Sequence, residues 1–292
     1  MTSPMRWQHG LMIAGIWISA NLVAYAGIDY WEHQELSRQY DVPVATLYAY
    51  EPKTIPMKLA SSERTTELWY RLLKPTSIKP SKKYPVVIFL HGSGSRGSDN
   101  VTQLHSLPIL LAQEPYRSQF PCYVIVPQCP EYYNWASYCR LGGSDKTAPR
   151  QNPVLAMLEN VLTLPGTDPD RVYLCGFSMG GFGSWDLASS VPDRFAAVVP
   201  VAGGGDPKQV VSLVNTPVWN VHSLDDEVVP VAQSQQLIDA LLAAGGQPKY
   251  TEYTHVGHGS WAPAFRESDE ILTWMFQQSR STSSHLITGA VP

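Results

Sequence analysis

One short stretch limits what this 292-residue chain can fold into more than any other. Residues 172–175 are apolar or β-prone, as in a strand that is buried on both faces. Residues 176–180 then read Gly-Phe-Ser-Met-Gly, a pattern typical of a sharp turn from a strand into a helix. The glycines let the strand and the helix approach closely, and Ser178 lies beside a helix N-terminus that favours negative charge. Because so short a motif also arises by chance, its weight depends on what surrounds it.

Strand-like and helix-like segments alternate through most of the chain. Residues 84–90 give the strongest signal for a buried strand, and they run directly into a Gly/Ser-rich loop. Further strands are expected at 67–73, 122–126, 196–201, 218–221 and 250–253, and helices at 107–114, 153–162, 231–244 and 271–277. This alternation predicts an α/β protein with a doubly wound, mostly parallel sheet and helices on both faces.

The N-terminal end indicates export. Residues 1–9 are polar and carry Arg6, residues 11–28 are mostly apolar, and Ala24-Tyr25-Ala26 is a small-residue cleavage pattern. Together these features predict a signal peptide over residues 1–26 and a periplasmic or extracellular protein. An uncleaved membrane anchor and a buried first helix are the alternatives.

The rest of the chain is expected to form one catalytic domain. Residues 27–66 are interpreted as an N-terminal extension that wraps the surface as an extended arm. Residues 67–278 are the catalytic domain and 279–292 a disordered tail. The net charge is −4 and no basic run is present, so nothing favours nucleic acid or an anionic surface as a partner.

An activated serine needs a carboxylate and a histidine, and each of these follows a predicted strand later in the chain. The loop after 218–221 offers the acidic residues Asp225, Asp226 and Glu227, and the loop after 250–253 offers His258. Taken singly, an acidic turn or a histidine is usually a solvated surface group. The chain order Ser178, Asp226, His258, with each residue after its own strand, is the order expected for a catalytic triad in this fold.

The same reasoning proposes groups around the triad. Two backbone N–H groups, those of Met179 and Ser93, are candidates for an oxyanion hole. His91 lies after the wrong strand to be the base, so a structural role is expected. Several aromatic residues either bind the substrate or pack in the core: Tyr132, Tyr133, Trp135, Phe177 and Trp261.

The four cysteines give no sign of a metal site. Cys129 and Cys139 bracket one loop and could pair if the protein is exported, whereas Cys175 lies in a buried strand and is expected to be inert packing. No His/Cys cluster suggests a metal ligand set, and the chemistry expected of the triad requires no metal or organic cofactor.

Motifs along residues 67–277 carry a family resemblance. They are Tyr70-Arg71, the run from Phe89 to Asn100, Pro127-Gln-Cys-Pro130, the run from Arg171 to Asp186, Ala202-Gly-Gly-Gly-Asp206, Asp226-Glu-Val-Val-Pro230, and Gly257-His258 with Trp261. With these motifs the chain resembles the phospholipase/carboxylesterase and dienelactone hydrolase-like branch of the α/β-hydrolases, including exported bacterial members described as predicted peptidases. The family motif D-x-x-V-P selects Asp226 over Asp225. Ser223 departs from the pattern, because the family commonly has glycine there.

The resemblance implies a serine hydrolase that cleaves carboxylic esters through Ser178, His258 and Asp226. A small-molecule or glycan-linked ester is the expected substrate. A peptidase or amidase with the same triad is the second interpretation. A catalytically dead fold used for binding is the third, although such relatives typically lose a triad residue and this chain keeps all three.

Overall fold

A computed structural model describes residues 32–60, 64–145, 147–149 and 151–280. The predicted signal peptide over residues 1–26 lies outside the described residues, as does all of the predicted tail beyond residue 280. None of the helices in the described parts of the chain combines the length and the apolar character that a membrane span requires.

The described residues form one eight-stranded sheet in the order β1-β2-β4-β3-β5-β6-β7-β8. Only the pairs β1–β2 and β2–β4 are antiparallel, and the other neighbours are parallel. The mostly parallel, doubly wound sheet predicted from the sequence is therefore confirmed. The strands are β1 (Tyr50–Lys58), β2 (Thr65–Leu73), β3 (Tyr84–Leu90), β4 (Tyr123–Pro127), β5 (Thr167–Phe177), β6 (Ala197–Val201), β7 (Trp219–Ser223) and β8 (Lys249–Tyr253).

Helices cover both faces of the sheet. Residues 32–40 are also helical. The later helices are α1 (Val44–Ala49), α2 (Leu107–Ala112), α3 (Tyr116–Gln119), α4 (Trp135–Tyr138), α5 (Pro153–Leu162), α6 (Met179–Ser190), α7 (Pro207–Val210), α8 (Ala232–Ala243), α9 (Trp261–Phe265) and α10 (Glu270–Gln277).

Strand β3 shows why the central strands are apolar throughout. Its side chains point alternately to the two faces, so that Val86 and Ile88 enter the core beneath α5, α6 and α8. Val87 and Phe89 enter the other core, beneath α1, α2 and α10. Because both faces are covered, every residue of β3 is buried, and the strand reads as a continuous apolar run.

The N-terminal region differs from the expected surface arm. Residues 32–40 and α1 are helical, and β1 pairs with β2 along nine residues as the edge strand of the main sheet. Pro52 and Pro56 made this segment look irregular, but an edge strand tolerates proline because one side of it has no partner strand.

All four cysteines are buried, and Cys129 and Cys139 do not form the disulfide that their spacing left open. Burial raises the pKa of the Cys129 thiol to about 12. Cys175 packs in the core beside Met275, as expected for inert packing, with 3.4 Å between the two sulfur atoms.

Candidate active site

Ser178 occupies the turn between β5 and α6 with φ 55° and ψ −118°, a conformation that costs energy for a residue with a side chain. Its N–H donates to the carbonyl of Val201 at 2.9 Å, which fastens the turn to β6. The glycines are needed because the backbones nearly touch. A Cβ on Gly180 would lie 1.8 Å from the Leu90 carbonyl oxygen, and one on Gly176 would lie 2.1 Å from the Gly180 oxygen.

A continuous chain of hydrogen bonds joins three side chains. His258 Nε2 lies 2.8 Å from Ser178 Oγ, and His258 Nδ1 lies 2.7 Å from Asp226 Oδ2. In the tautomer that suits both contacts, Nδ1–H donates to the carboxylate and Nε2 accepts from the serine hydroxyl. The structure thus brings together the residues that follow β5, β7 and β8.

The Asp226 carboxylate is held from several directions and has no exposed side-chain surface. Its Oδ1 accepts from the N–H groups of Val228 and Val229, each at 2.9 Å. Burial alone would raise the pKa of this carboxyl. The hydrogen bonds from His258 and from the two N–H groups outweigh burial, so the pKa of Asp226 lies below its ordinary value. The carboxylate therefore stays ionised beside His258.

Sequence reasoning did not anticipate that a second histidine contacts this carboxylate. Buried His222 on β7 places Nε2 3.2 Å from Asp226 Oδ2 and 2.9 Å from the Val229 carbonyl oxygen. Its Nδ1 lies 2.7 Å from Ser234 Oγ. A histidine four residues before the aspartate on a predicted strand was the available signal.

Asp225 takes no part in this chain. It accepts from Ser223 Oγ at 2.5 Å and from the Gly257 N–H at 3.3 Å. The hydrogen bond from Ser223 is the main reason that the pKa of Asp225 is lowered. Ser223, the departure from the family pattern, thus holds the neighbouring carboxylate and leaves Asp226 facing His258.

The two candidate oxyanion donors lie close to the serine. Met179 is the first residue of α6, and Ser93 begins a short 3-10 turn after β3. A Cβ on Gly92, next to Ser93, would lie 3.6 Å from Ser178 Cβ. Within the described residues, neither the Met179 N–H nor the Ser93 N–H donates to a protein acceptor. Both donors are therefore available to a bound oxygen.

His91 is structural, as expected. Its Nε2 accepts from the Cys129 N–H at 2.9 Å, so Nδ1 carries the proton that is donated to the Gly92 oxygen at 2.7 Å. Burial lowers the pKa of His91 to about 4, which keeps the ring neutral. Trp135 Nε1 donates to the His91 carbonyl at 2.9 Å. Trp135 is buried, and this hydrogen bond from its indole supports the loop after β3.

Gln128 is a further residue that sequence reasoning missed. It follows β4, and its Oε1 accepts from the Asn100 N–H at 2.6 Å. Its Nε2 donates to Asp99 Oδ2 at 3.0 Å and to the Ser95 oxygen at 3.3 Å. The Pro-Gln-Cys-Pro motif was the available signal. Gln128 therefore connects two parts of the loop that carries Ser93, at Ser95 and at Asn100, to the end of β4.

The predicted aromatic contacts divide between two cavities that border the turn. One, of about 500 Å³, is lined by Ser178, Met179, Trp135 and the outer face of α6. The other, of about 610 Å³, is lined by Phe177, Trp261, His105 and Arg266. The Phe177 ring lies 5.0 Å from the His258 ring. Tyr132 is 92% exposed and lines neither cavity.

Comparisons with known proteins place this site in a class. The model of the dienelactone hydrolase family matches residues 141–271, a stretch that contains Ser178, Asp226 and His258. A "Probable carboxylesterase SOBER1-like" of Arabidopsis thaliana is 23% identical over 219 residues, which are 68% of this chain and 80% of that protein. Among the described residues, no cluster of His, Cys, Asp and Glu could hold a metal ion.

Solved structures of hydrolases also resemble this chain. A thermostable esterase is 34% identical with a TM-score of 0.69 over 80% of this chain, and an acylaminoacyl peptidase of Pyrococcus horikoshii is 18% identical with a TM-score of 0.57. The chain spans 64% of the length of the esterase and 42% of the peptidase. The chain therefore has the α/β-hydrolase fold. Within that class, its resemblance to the dienelactone hydrolase-like branch, among serine hydrolases that include esterases and peptidases, is confirmed.

Proposed function

We propose that this protein is a serine ester hydrolase that works through an acyl-enzyme on Ser178. The observation that carries the proposal is the hydrogen-bond chain from Ser178 through His258 to Asp226. Ser178 Oγ attacks the ester carbonyl carbon while its proton moves to His258 Nε2. The resulting oxyanion accepts hydrogen bonds from the N–H groups of Met179 and Ser93.

The remaining steps return the enzyme to its starting state. The tetrahedral intermediate collapses, the C–O bond to the alcohol breaks, and His258 gives its proton to the departing oxygen. A water molecule then attacks the acyl group with His258 as base, and a second collapse releases the acid and restores the Ser178 hydroxyl. Asp226 remains ionised throughout, where it fixes the histidine tautomer and stabilises the imidazolium.

Esters are proposed over amides because little in the chain could clamp an extended peptide. Between Asp226 and His258 the chain contains only α8 and β8 as regular elements longer than one turn. An amide nitrogen must be protonated as it leaves, which demands a more closely held substrate. The peptidase likeness, at 18% identity, reflects the fold alone.

We further propose that the substrate is a small-molecule or glycan-linked ester met outside the cytoplasm. The support for export is the N-terminal segment of residues 1–26, which starts with a polar stretch carrying Arg6, is mostly apolar from residue 11 and ends in a small-residue cleavage pattern. The intact mass of the exported protein tests this part, with a mature N-terminus at Gly27 expected.

Replacement of the nucleophile tests the proposal. Ser178→Ala should retain the fold and lose at least about 10³ of kcat/KM on p-nitrophenyl acetate, since triad members act as a unit. Ser190→Ala, at the far end of the same helix, is the matched control and should retain activity. Wild-type enzyme should prefer this ester over p-nitroacetanilide by at least about 10², after correction for uncatalysed rates. Near-normal turnover by Ser178→Ala would reject the assignment, and preference for the anilide would establish the amidase alternative.

A further inference from the structure

The 500 Å³ cavity starts at the nucleophile and follows one face of helix α6. Phe182, Trp185, Asp186 and Ser189 line it, and their spacing of three, four and seven residues places them on one side of the helix. Opposite them the wall includes apolar side chains such as Val210 and Leu237. A substrate group that enters from Ser178 therefore meets mostly apolar surface.

The position of the base indicates which half of the substrate enters this cavity. Protonated His258 must reach the leaving oxygen, so the alcohol departs on the histidine side. His258 does not line the α6 cavity, whereas Ser178 and Met179 do. The other cavity is lined by Phe177, whose ring lies 5.0 Å from the His258 ring. The α6 cavity is thus placed to receive the acyl half of the ester.

The charges around the cavity have a single sign. Asp186 and Asp206 line it, and no described lining residue is Lys, Arg or His. Asp206 is fixed in place, because its carboxylate accepts from the Lys208 N–H at 2.9 Å and from Gln209 Nε2 at 3.1 Å. A second negative charge brought into this partly enclosed space would be repelled by both carboxylates and would meet no cationic side chain among the described lining residues. The cavity thus combines a mostly apolar wall with two carboxylates.

We propose that this cavity selects an uncharged acyl group with an apolar body, and that it excludes acyl groups carrying a carboxylate. The inference rests on the proposed esterase function and names its substrate class. It attributes the exclusion to Asp186 and Asp206.

Two p-nitrophenyl benzoates with the same leaving group test the proposal: 4-methoxy and 4-carboxy. After division by each ester's hydroxide-catalysed rate, kcat/KM for the methoxy ester should exceed that for the carboxy ester by at least about 30-fold. A carboxy ester hydrolysed within threefold of the methoxy ester would overturn the inference.

Substitutions test whether Asp186 and Asp206 cause the discrimination. The double variant Asp186→Asn with Asp206→Asn should lower the methoxy-to-carboxy ratio at least about tenfold. Glu51→Gln, which removes one negative charge from the distant edge strand β1, is the control and should leave the ratio unchanged. An unchanged ratio in the folded double variant would contradict the assignment.

The outcomes also separate the two proposals. Complete absence of Ser178-dependent ester hydrolysis would overturn the esterase function and this inference with it. Ser178-dependent hydrolysis without discrimination against the carboxy ester would overturn the inference alone.

Discussion

The two loops that bring functional groups to Ser178 are built differently. The loop after β3, which carries Ser93, is tied to β4 by buried polar groups of His91 and Gln128. The loop after β8, which carries His258, is instead held by two carboxylates: Asp225 accepts from the Gly257 N–H, and Asp226 contacts the His258 side chain, which is 23% exposed. It turns through positive φ angles of 62° at His255 and 53° at Gly257.

This difference matches the demands of the chemistry. An oxyanion hole works best when its donors are fixed before charge develops, because no reorganisation is then needed. The base must instead exchange its proton between Ser178 Oγ and a leaving oxygen, so it needs some freedom at Nε2. Only the Nδ1 side of His258 is firmly held, by the buried carboxylate of Asp226. Three predictions test this contrast.

The largest effect is expected at the carboxylate that holds the base. Asp226→Asn should lower kcat by about 10³–10⁴, because an amide at this position favours the wrong histidine tautomer. Asp225→Asn, its neighbour and matched control, should cost less than about threefold, since its hydrogen bonds from Ser223 and from loop N–H groups lie outside the chain that joins Ser178 to Asp226. Steady-state kinetics on one p-nitrophenyl ester compare the two. If Asp225→Asn proved the more damaging, the assignment of the orienting carboxylate would be wrong.

A smaller effect is expected at the support of the oxyanion loop. Gln128→Ala removes the acceptor for the Asn100 N–H and the donor to Ser95, so the Ser93 N–H should lose its fixed position. We expect kcat to fall about 10- to 100-fold, less than the loss of an oxyanion donor itself. Gln119→Ala, an exposed glutamine that bonds Asp269, is the control. A folded Gln128→Ala enzyme with wild-type kcat would show that the loop does not need this support.

The smallest effect concerns stability and pH. The pKa of buried His91 is about 4 in the folded protein against an ordinary value of 6.5, so between these values the unfolded chain binds the extra proton. His91 should therefore make stability fall as pH drops below 6.5, and it alone contributes a loss of about 2 kcal/mol at pH 5 relative to pH 7. Burial also lowers the pKa of His105 to about 4, so His105 adds to the total loss. Urea unfolding at both pH values measures the total loss. His91→Gln should show a shallower pH dependence, and an unchanged slope would contradict the assignment.

Much of the central fold could be predicted from the sequence because its signals are local. The continuous apolar runs of β3 and β5 identify buried strands, and the glycines at 176 and 180 identify the sharp turn. The order Ser178, Asp226, His258 then follows from the fact that parallel strands end at the same edge of the sheet. The structure joins these three side chains by hydrogen bonds of 2.7 and 2.8 Å.

What the sequence did not predict depends on tertiary contacts. Strand β1 contains Pro52 and Pro56, which cannot donate a backbone hydrogen bond. It can form a strand because it lies at the sheet edge, where one side has no partner strand. For Trp135 the sequence left substrate binding and packing both open, and only the structure shows that it bonds the His91 carbonyl and also lines the cavity at Ser178. Gln128 bonds Asn100, far away in the chain, and His222 contacts Asp226 across a loop. A single sequence does not reveal such pairs.

The most direct test of the central claim is to identify the serine that a fluorophosphonate probe modifies, by peptide mass spectrometry. We predict rapid labelling of Ser178 and its loss in His258→Ala. Ser106 is the relevant competitor, because its backbone angles of 58° and −122° resemble those of Ser178 and its Oγ lies 2.7 Å from His105 Nδ1. Labelling at Ser106, or undiminished labelling of the Ser178→Ala protein, would contradict the account.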